Sequence, residues 1–171
     1  MNIEYIRTLW EDQRLVTGVT LRAIQAIPAD KVDARPVRDM RSTKELVCHL
    51  AAVVKHVAAG ITKGKIDDFE KAEKDPSVKT REDLVRVMKD AWQTADSAIR
   101  EITAAKAGAP IETPWGFSPP AWMCVQIVAD EHIHHRGQLY AYLRSFGVEP
   151  PMMWDFENSA PEFQPKQHAQ A

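Results

Sequence analysis

Three of the chain's six histidines fall in one run, Asp130-Glu131-His132-Ile133-His134-His135-Arg136-Gly137-Gln138. Imidazole nitrogens and carboxylate oxygens are the donors that hold divalent metals, so the spacing within this run decides what it can do. The run lies in a stretch with helical periodicity, where each residue advances about 100°. Taking His135 as reference, Val128, Leu139 and Phe146 fall within roughly 40° of it, as do Cys124 and Tyr142. His135 therefore faces an apolar seam. Glu131, one turn earlier, lies about 40° to one side, His132 about 60° to the other, and His134 about 100° away, leaning outward. Glu131 and His135 thus offer two donors from one helix face, and bundle metalloproteins complete such a set from facing helices. The best facing candidate is His49, near the stripe of Leu46, Leu50, Val53 and Val57, with His56 in reserve. The competing reading is a hydrogen-bonded core histidine and a Glu131 that pairs across turns or reaches solvent. Against it, a carboxylate near a seam is costly unless paired or ligated.

These residues need helices to position them, and all 11 prolines fall outside the interiors of four long stretches with helical periodicity, 3–27, 43–62, 80–106 and 120–146. Pro28 ends the first. The second opens with a capping box, Ser42-Thr43-Lys44-Glu45, and Gly60 and Gly64 are placed to close it. The third starts similarly at Thr80-Arg81-Glu82-Asp83. The fourth has Ser118 as a cap, Pro119 or Pro120 at the first helical position, and Gly147 just past the last turn. No segment alternates with period two between hairpin turns, so strands are absent or trivial. Four amphipathic helices of similar length predict an all-α four-helix bundle with long connecting loops. Segment 63–79 is charged, with a short extra helix expected around Ile66 to Lys74. The bundle is expected over 1–152, and 153–171 reads as an extended C-terminal strap, partly disordered, with a frayed Gln-rich tip.

At 171 residues the chain predicts one domain. Its 22 basic and 24 acidic residues leave a net charge of -2, which gives no electrostatic footprint for nucleic acid. No apolar run approaches the roughly 20 residues that span a bilayer, and the amphipathic start is unlike a secretory signal, so the chain reads as cytoplasmic with no membrane partner. Cys48 and Cys124 lack metal or redox spacing and read as reduced. Cys48 lies about 100° round the helix from His49, which makes it a small buried residue rather than a nucleophile. Nothing resembles a Ser-His-Asp arrangement, a P-loop or a dinucleotide-binding glycine motif.

The stretch His134-His135-Arg136-Gly137-Gln138-Leu139-Tyr140-Ala141-Tyr142-Leu143-Arg144, followed by Gly147 and Pro150-Pro151, resembles the carboxy-terminal helix motif of the DinB-like (damage-inducible B) superfamily. Glu45-Leu46-Val47-Cys48-His49-Leu50-Ala51 is similar to that family's second-helix motif, and the likeness covers most of 1–152. It implies a four-helix bundle, often a homodimer, with a divalent metal held by one His of the second helix and an i, i+4 pair of the last. Carried over, these are His49, position 131 and His135. The family usually has His at position 131, where this chain has Glu131. That leaves a two-His, one-carboxylate site, a shifted site using His132, or a lost site; helical angle favours Glu131. A carboxylate ligand suits harder metals as well as zinc or nickel.

Three protein ligands leave open positions, the catalytic pattern. The related bacillithiol and mycothiol S-transferases are similar to a scheme in which the metal activates a low-molecular-weight thiol, and other members are hydrolases or isomerases. The expectation is a metal-dependent thiol transferase or hydrolase acting on a small molecule. The alternative is a non-enzymatic dimeric bundle, a stress-linked binding protein with a structural or degenerate site. Trp10, Gln13, Gln138, Tyr142 and Trp115 are candidates to shape the pocket, although Trp10 and Tyr142 at helical spacing also fit the core and Gln138 fits a role in orienting a ligand. Gly137, costly inside a helix, suggests close approach of another backbone near the site. Arg136 and Arg144 are expected to be solvated or ion-paired.

Overall fold

The computed structural model describes residues 3–166. The frayed tip expected at the end of the chain lies outside them. The elements are α1 (Ile3–Gln25), α2 (Thr43–Lys63), α3 (Arg81–Arg100), the single turn α4 (Ala104–Ala107) and α5 (Ala121–Ser145). Short 3-10 turns occur at Ala29–Lys31, Glu70–Lys74 and Pro161–Phe163. No strand forms among the described residues, only two isolated bridges.

The helix ends follow the local chemistry. Ser42 accepts from the Glu45 amide while Glu45 accepts from the Ser42 amide, and Thr80 with Asp83 does the same for α3. Gly64 takes the left-handed conformation (φ 81°) that ends α2, and Gly147 (φ 76°) follows α5. Two boundaries differ from expectation. The third stretch breaks after Arg100 because Thr103, extended, caps α4 by accepting from the Lys106 amide. The fifth helix starts at Ala121 with no side-chain cap; backbone bonds from Ile111 to the Pro119 carbonyl and from Ala121 to the Ala109 carbonyl hold its entry instead.

Around the core the long helices follow the order α1, α3, α2, α5, so α2 and α5 are neighbours. They run in opposite senses: Tyr142, late in α5, donates to the carbonyl of Arg41 just before α2, and the His49 and His135 rings meet nearer their middles. By contrast α1 runs with α5, since Tyr5 donates to Gln126 and Thr20 meets His132 further along both. The ends of α2 and α3 lie together, where Lys106 donates to the Thr62 carbonyl. Residues 64–80 must therefore return along the bundle before α3 can begin, and they do so against α2. By composition α2 is long and apolar enough to cross a membrane, but 67% of its most apolar window is buried in this core.

The strap continues from α5 back over α1. Arg22 pairs with Asp155, Arg14 donates to the carbonyls of Glu162 and Gln164, and Phe163 is buried in the core. Gly18 makes this possible, since a Cβ there would stand 2.5 Å from the Phe163 Cβ. Gly137 is exposed, with nothing within 4 Å of where its Cβ would be, so the close approach expected there does not occur. The chain makes its close backbone contacts at Gly18 and at Gly60, which lies within α2 under Ile66.

Candidate metal centre

His49 projects from α2, and Glu131 and His135 project from one face of α5, a turn apart. One ligand atom from each lies within 4.8 Å of the other two. The Glu131 Oε2 is 3.0 Å from His135 Nε2 and 3.6 Å from His49 Nε2, and the two imidazoles meet edge to face at 4.6 Å. His135 is buried, and His49 and Glu131 are half-buried. His49, Glu131 and His135 form a cluster that can hold a metal ion.

The far side of each ring is fixed. His49 Nδ1 lies 2.6 Å from a carboxylate oxygen of Glu73, and Arg41 donates to both oxygens of that carboxylate at 2.9 and 3.2 Å. His135 Nδ1 lies 2.9 Å from Gln138 Oε1, while the Gln138 amide nitrogen reaches His134. The tautomers that donate Nδ1–H to Glu73 and to Gln138 leave both Nε2 lone pairs facing Glu131. Such outer partners set ring orientation and basicity in metal sites. Burial lowers the His135 pKa, despite the opposing hydrogen bond to Gln138, and so favours its neutral, ligating form. Burial pushes the Glu73 carboxyl upward, but hydrogen bonds from Arg41 and His49 outweigh it and hold Glu73 below the usual range, ionised.

His132, the alternative ligand, is fully buried on another face. Its Nε2 contacts Thr20 Oγ1 at 2.8 Å and its Nδ1 contacts the Gln13 amide, so it joins α5 to α1 away from the triad. Because the Thr20 hydroxyl donates to the Val16 carbonyl, it accepts from His132 Nε2–H. Burial drives the His132 pKa down to about 3, leaving it neutral. His56 stacks on Phe69, outside the cluster. Burial raises the Cys48 thiol to about 11, consistent with a packing role.

The pocket expectations divide. Gln138 orients His135, and Trp115 lines the cavities beside His49. Trp10 does not reach the site. It stacks on Trp92 at 4.8 Å, donates to Asp96, and lines a separate cavity between α1 and α3. Tyr142 is buried on the Arg41 carbonyl and lines neither cavity beside His49, and Gln13 serves His132. Arg136 also departs from expectation: it is 8% exposed, pairs with no carboxylate among the described residues, and lies 5.9 Å from the Tyr140 ring centroid. Two cavities of about 310 and 360 Å³ flank His49, one mainly apolar and one mixed, with the charged side chains of Arg41, Asp68, Glu70 and Glu73 in its lining. Sequence reasoning missed Glu73, Arg41 and Phe69. They come from the segment before α2 and from the short 3-10 turn of the returning segment and its cap, where no periodicity marks a face.

A search of curated proteins found no match. Among solved structures, a DinB-like protein from Bacillus subtilis is similar at 22% identity, covering 80% of this chain and 90% of its own, with a TM-score of 0.66. A protein described as of the DinB family from Exiguobacterium sibiricum is 25% identical over 89% of this chain and 97% of its own, TM-score 0.66. A DinB-like protein from Bacillus cereus, 14% identical, covers 84% and 94%, TM-score 0.71. These likenesses agree with the all-helical bundle derived above. The model of the DinB family matches residues 4–167, from the first turn of α1 into the strap, and so the chain belongs to the DinB family.

Proposed function

We propose that the chain is a divalent-metal-dependent enzyme acting on a small molecule, with His49, Glu131 and His135 as ligands and thiol transfer or hydrolysis as its reaction. The carrying observation is the convergence of three lone-pair donors, two of them imidazoles whose Nδ1 atoms are already committed elsewhere. Two like-facing imidazole lone pairs and a carboxylate oxygen repel one another unless a proton or a cation lies between them, and the donor set suits zinc or nickel. A metal bound by three protein ligands keeps open positions and acidifies a water or thiol held there.

The chain's own residues do the rest. Glu73 retains the Nδ1 proton of His49 and is itself held ionised by Arg41, while Gln138 performs the corresponding service for His135. Apolar walls on one side of His49 keep water from that side of the reacting group, and the charged cavity on the other side admits a polar portion of substrate.

The test is to load the protein with zinc or nickel and follow consumption of a low-molecular-weight thiol with a bimane electrophile, and hydrolysis of nitrophenyl esters. Turnover in at least one assay, abolished by chelation and by His135→Ala, is expected. Equal rates for wild type, chelated protein and variant would contradict the reading.

A further inference from the structure

We propose that the apolar cavity beside His49 and Glu131 is the subsite for the nonpolar half of the substrate, a flat aryl or branched alkyl group whose polar reacting end lies over the triad. The inference deepens the metal-centred reading and rests on it.

The ligand-bearing face of each helix continues as an apolar stripe away from the triad. Val53 and Val57 follow His49 at one and two turns along α2, and Ile127 precedes Glu131 by one turn on α5. Opposite them stand Phe69 from the returning segment and Trp115 and Phe117 from the loop before α5. Among the described residues lining the cavity, His49 and Glu131 are the titratable ones and the rest are aliphatic or aromatic, so a ligand finds its main hydrogen-bonding partners at that end and must be largely apolar elsewhere. Its volume of about 310 Å³ compares with about 150 Å³ for an engineered cavity that takes benzene, so a ring with a short substituent fits.

The loop is an independent observation. Trp115 and Phe117 are 38% and 52% exposed in an otherwise polar segment, with ring centroids 6.0 Å apart. Their turn is fixed rather than incidental: Gly116 between them takes φ 80°, the Thr113 hydroxyl donates to the Phe117 carbonyl at 2.5 Å, and the Trp115 amide donates back to that hydroxyl. The fold thus holds two large apolar rings at the mouth of a cavity that His49 and Glu131 of the triad also line. On the far side of His49, Phe69 and Trp115, the second cavity is lined by Arg41, Asp68, Glu70 and Glu73, which sends charged groups there instead.

Acetohydroxamate and benzohydroxamate share a chelating end and differ in the apolar part. Titrations of zinc-loaded and metal-free protein would be followed by affinity and by methyl NMR of Val53, Val57 and Ile127. Benzohydroxamate is expected to bind the loaded protein at least about tenfold more tightly. Ile127→Trp, which fills the cavity, should remove that margin while leaving acetohydroxamate affinity and zinc content unchanged. In metal-free protein, benzohydroxamate alone should still shift the Val53 and Val57 methyls. Equal affinities without those shifts would overturn the inference, as would a change in oligomeric mass of Trp115→Ala/Phe117→Ala by light scattering, which would make the cavity an interface with a second copy. If zinc does not bind, the metal-centred reading fails, and the methyl shifts of metal-free protein still decide the subsite.

Discussion

At the scale of single residues, three histidines close together in sequence have three different fates. His135 points its Nε2 at Glu131, His132 is bound to α1, and His134 is exposed beside Gln138. Helical angle alone separates them, because each step of about 100° assigns a direction. The same reasoning found the Glu131/His135 pair and His49. It could not find Glu73, which reaches His49 from a 3-10 turn on the returning segment and whose position depends on how the chain crosses α2. Glu73→Gln keeps the shape but loses the charge facing His49 Nδ1. Metal affinity, read by competition with a chromophoric chelator, should fall by about tenfold to a hundredfold. Unchanged affinity would make the Glu73 contact structural only.

Among the elements, helix existence was legible from periodicity and proline placement, whereas the partner of each face was not. Trp10 shows why: its apolar stripe is evident, but only the packed structure reveals that it meets Trp92 on α3. Glycines show it too. Gly18→Ala drives a Cβ to 2.5 Å from the Phe163 Cβ and 2.9 Å from the Ser159 Cβ, and should destabilise by about 1–3 kcal/mol in urea unfolding. Gly137→Ala meets open space on an exposed helix face and should stabilise by up to about 1 kcal/mol. The capping box gives a pH prediction. The hydrogen bond from the Ser42 amide, followed by Arg35, lowers the Glu45 pKa below its ordinary 4.5. A depressed carboxylate contributes stability above the unfolded pKa, and that contribution disappears as pH falls through the folded one. Glu45→Gln, measured by urea midpoints, should therefore be less stable than wild type by on the order of 1 kcal/mol at pH 7, and the difference should shrink as pH falls below the ordinary carboxylate value of 4.5.

For the whole molecule, the decisive arrangement is that α2 and α5 are antiparallel neighbours while residues 64–80 travel back against α2. The first brings His49 to Glu131 and His135; the second brings Glu73 and Phe69 to His49. The bundle class was readable from helix number and length, but the helix order and the return crossover were not, because amphipathic faces specify burial without specifying a neighbour. The strap likewise shows its extended nature in its prolines, but not its seat on Gly18. The central claim is that this arrangement assembles a three-ligand metal site, and elemental analysis of tag-free protein tests it most directly. Wild type should carry about one divalent ion per chain, lost in His49→Ala and in Glu131→Ala. His132→Ala should keep the ion while losing about 1–3 kcal/mol of stability from the unpaired Gln13 and Thr20. No ion after reconstitution with zinc, nickel or manganese, or an ion retained in both triad variants, would contradict the account.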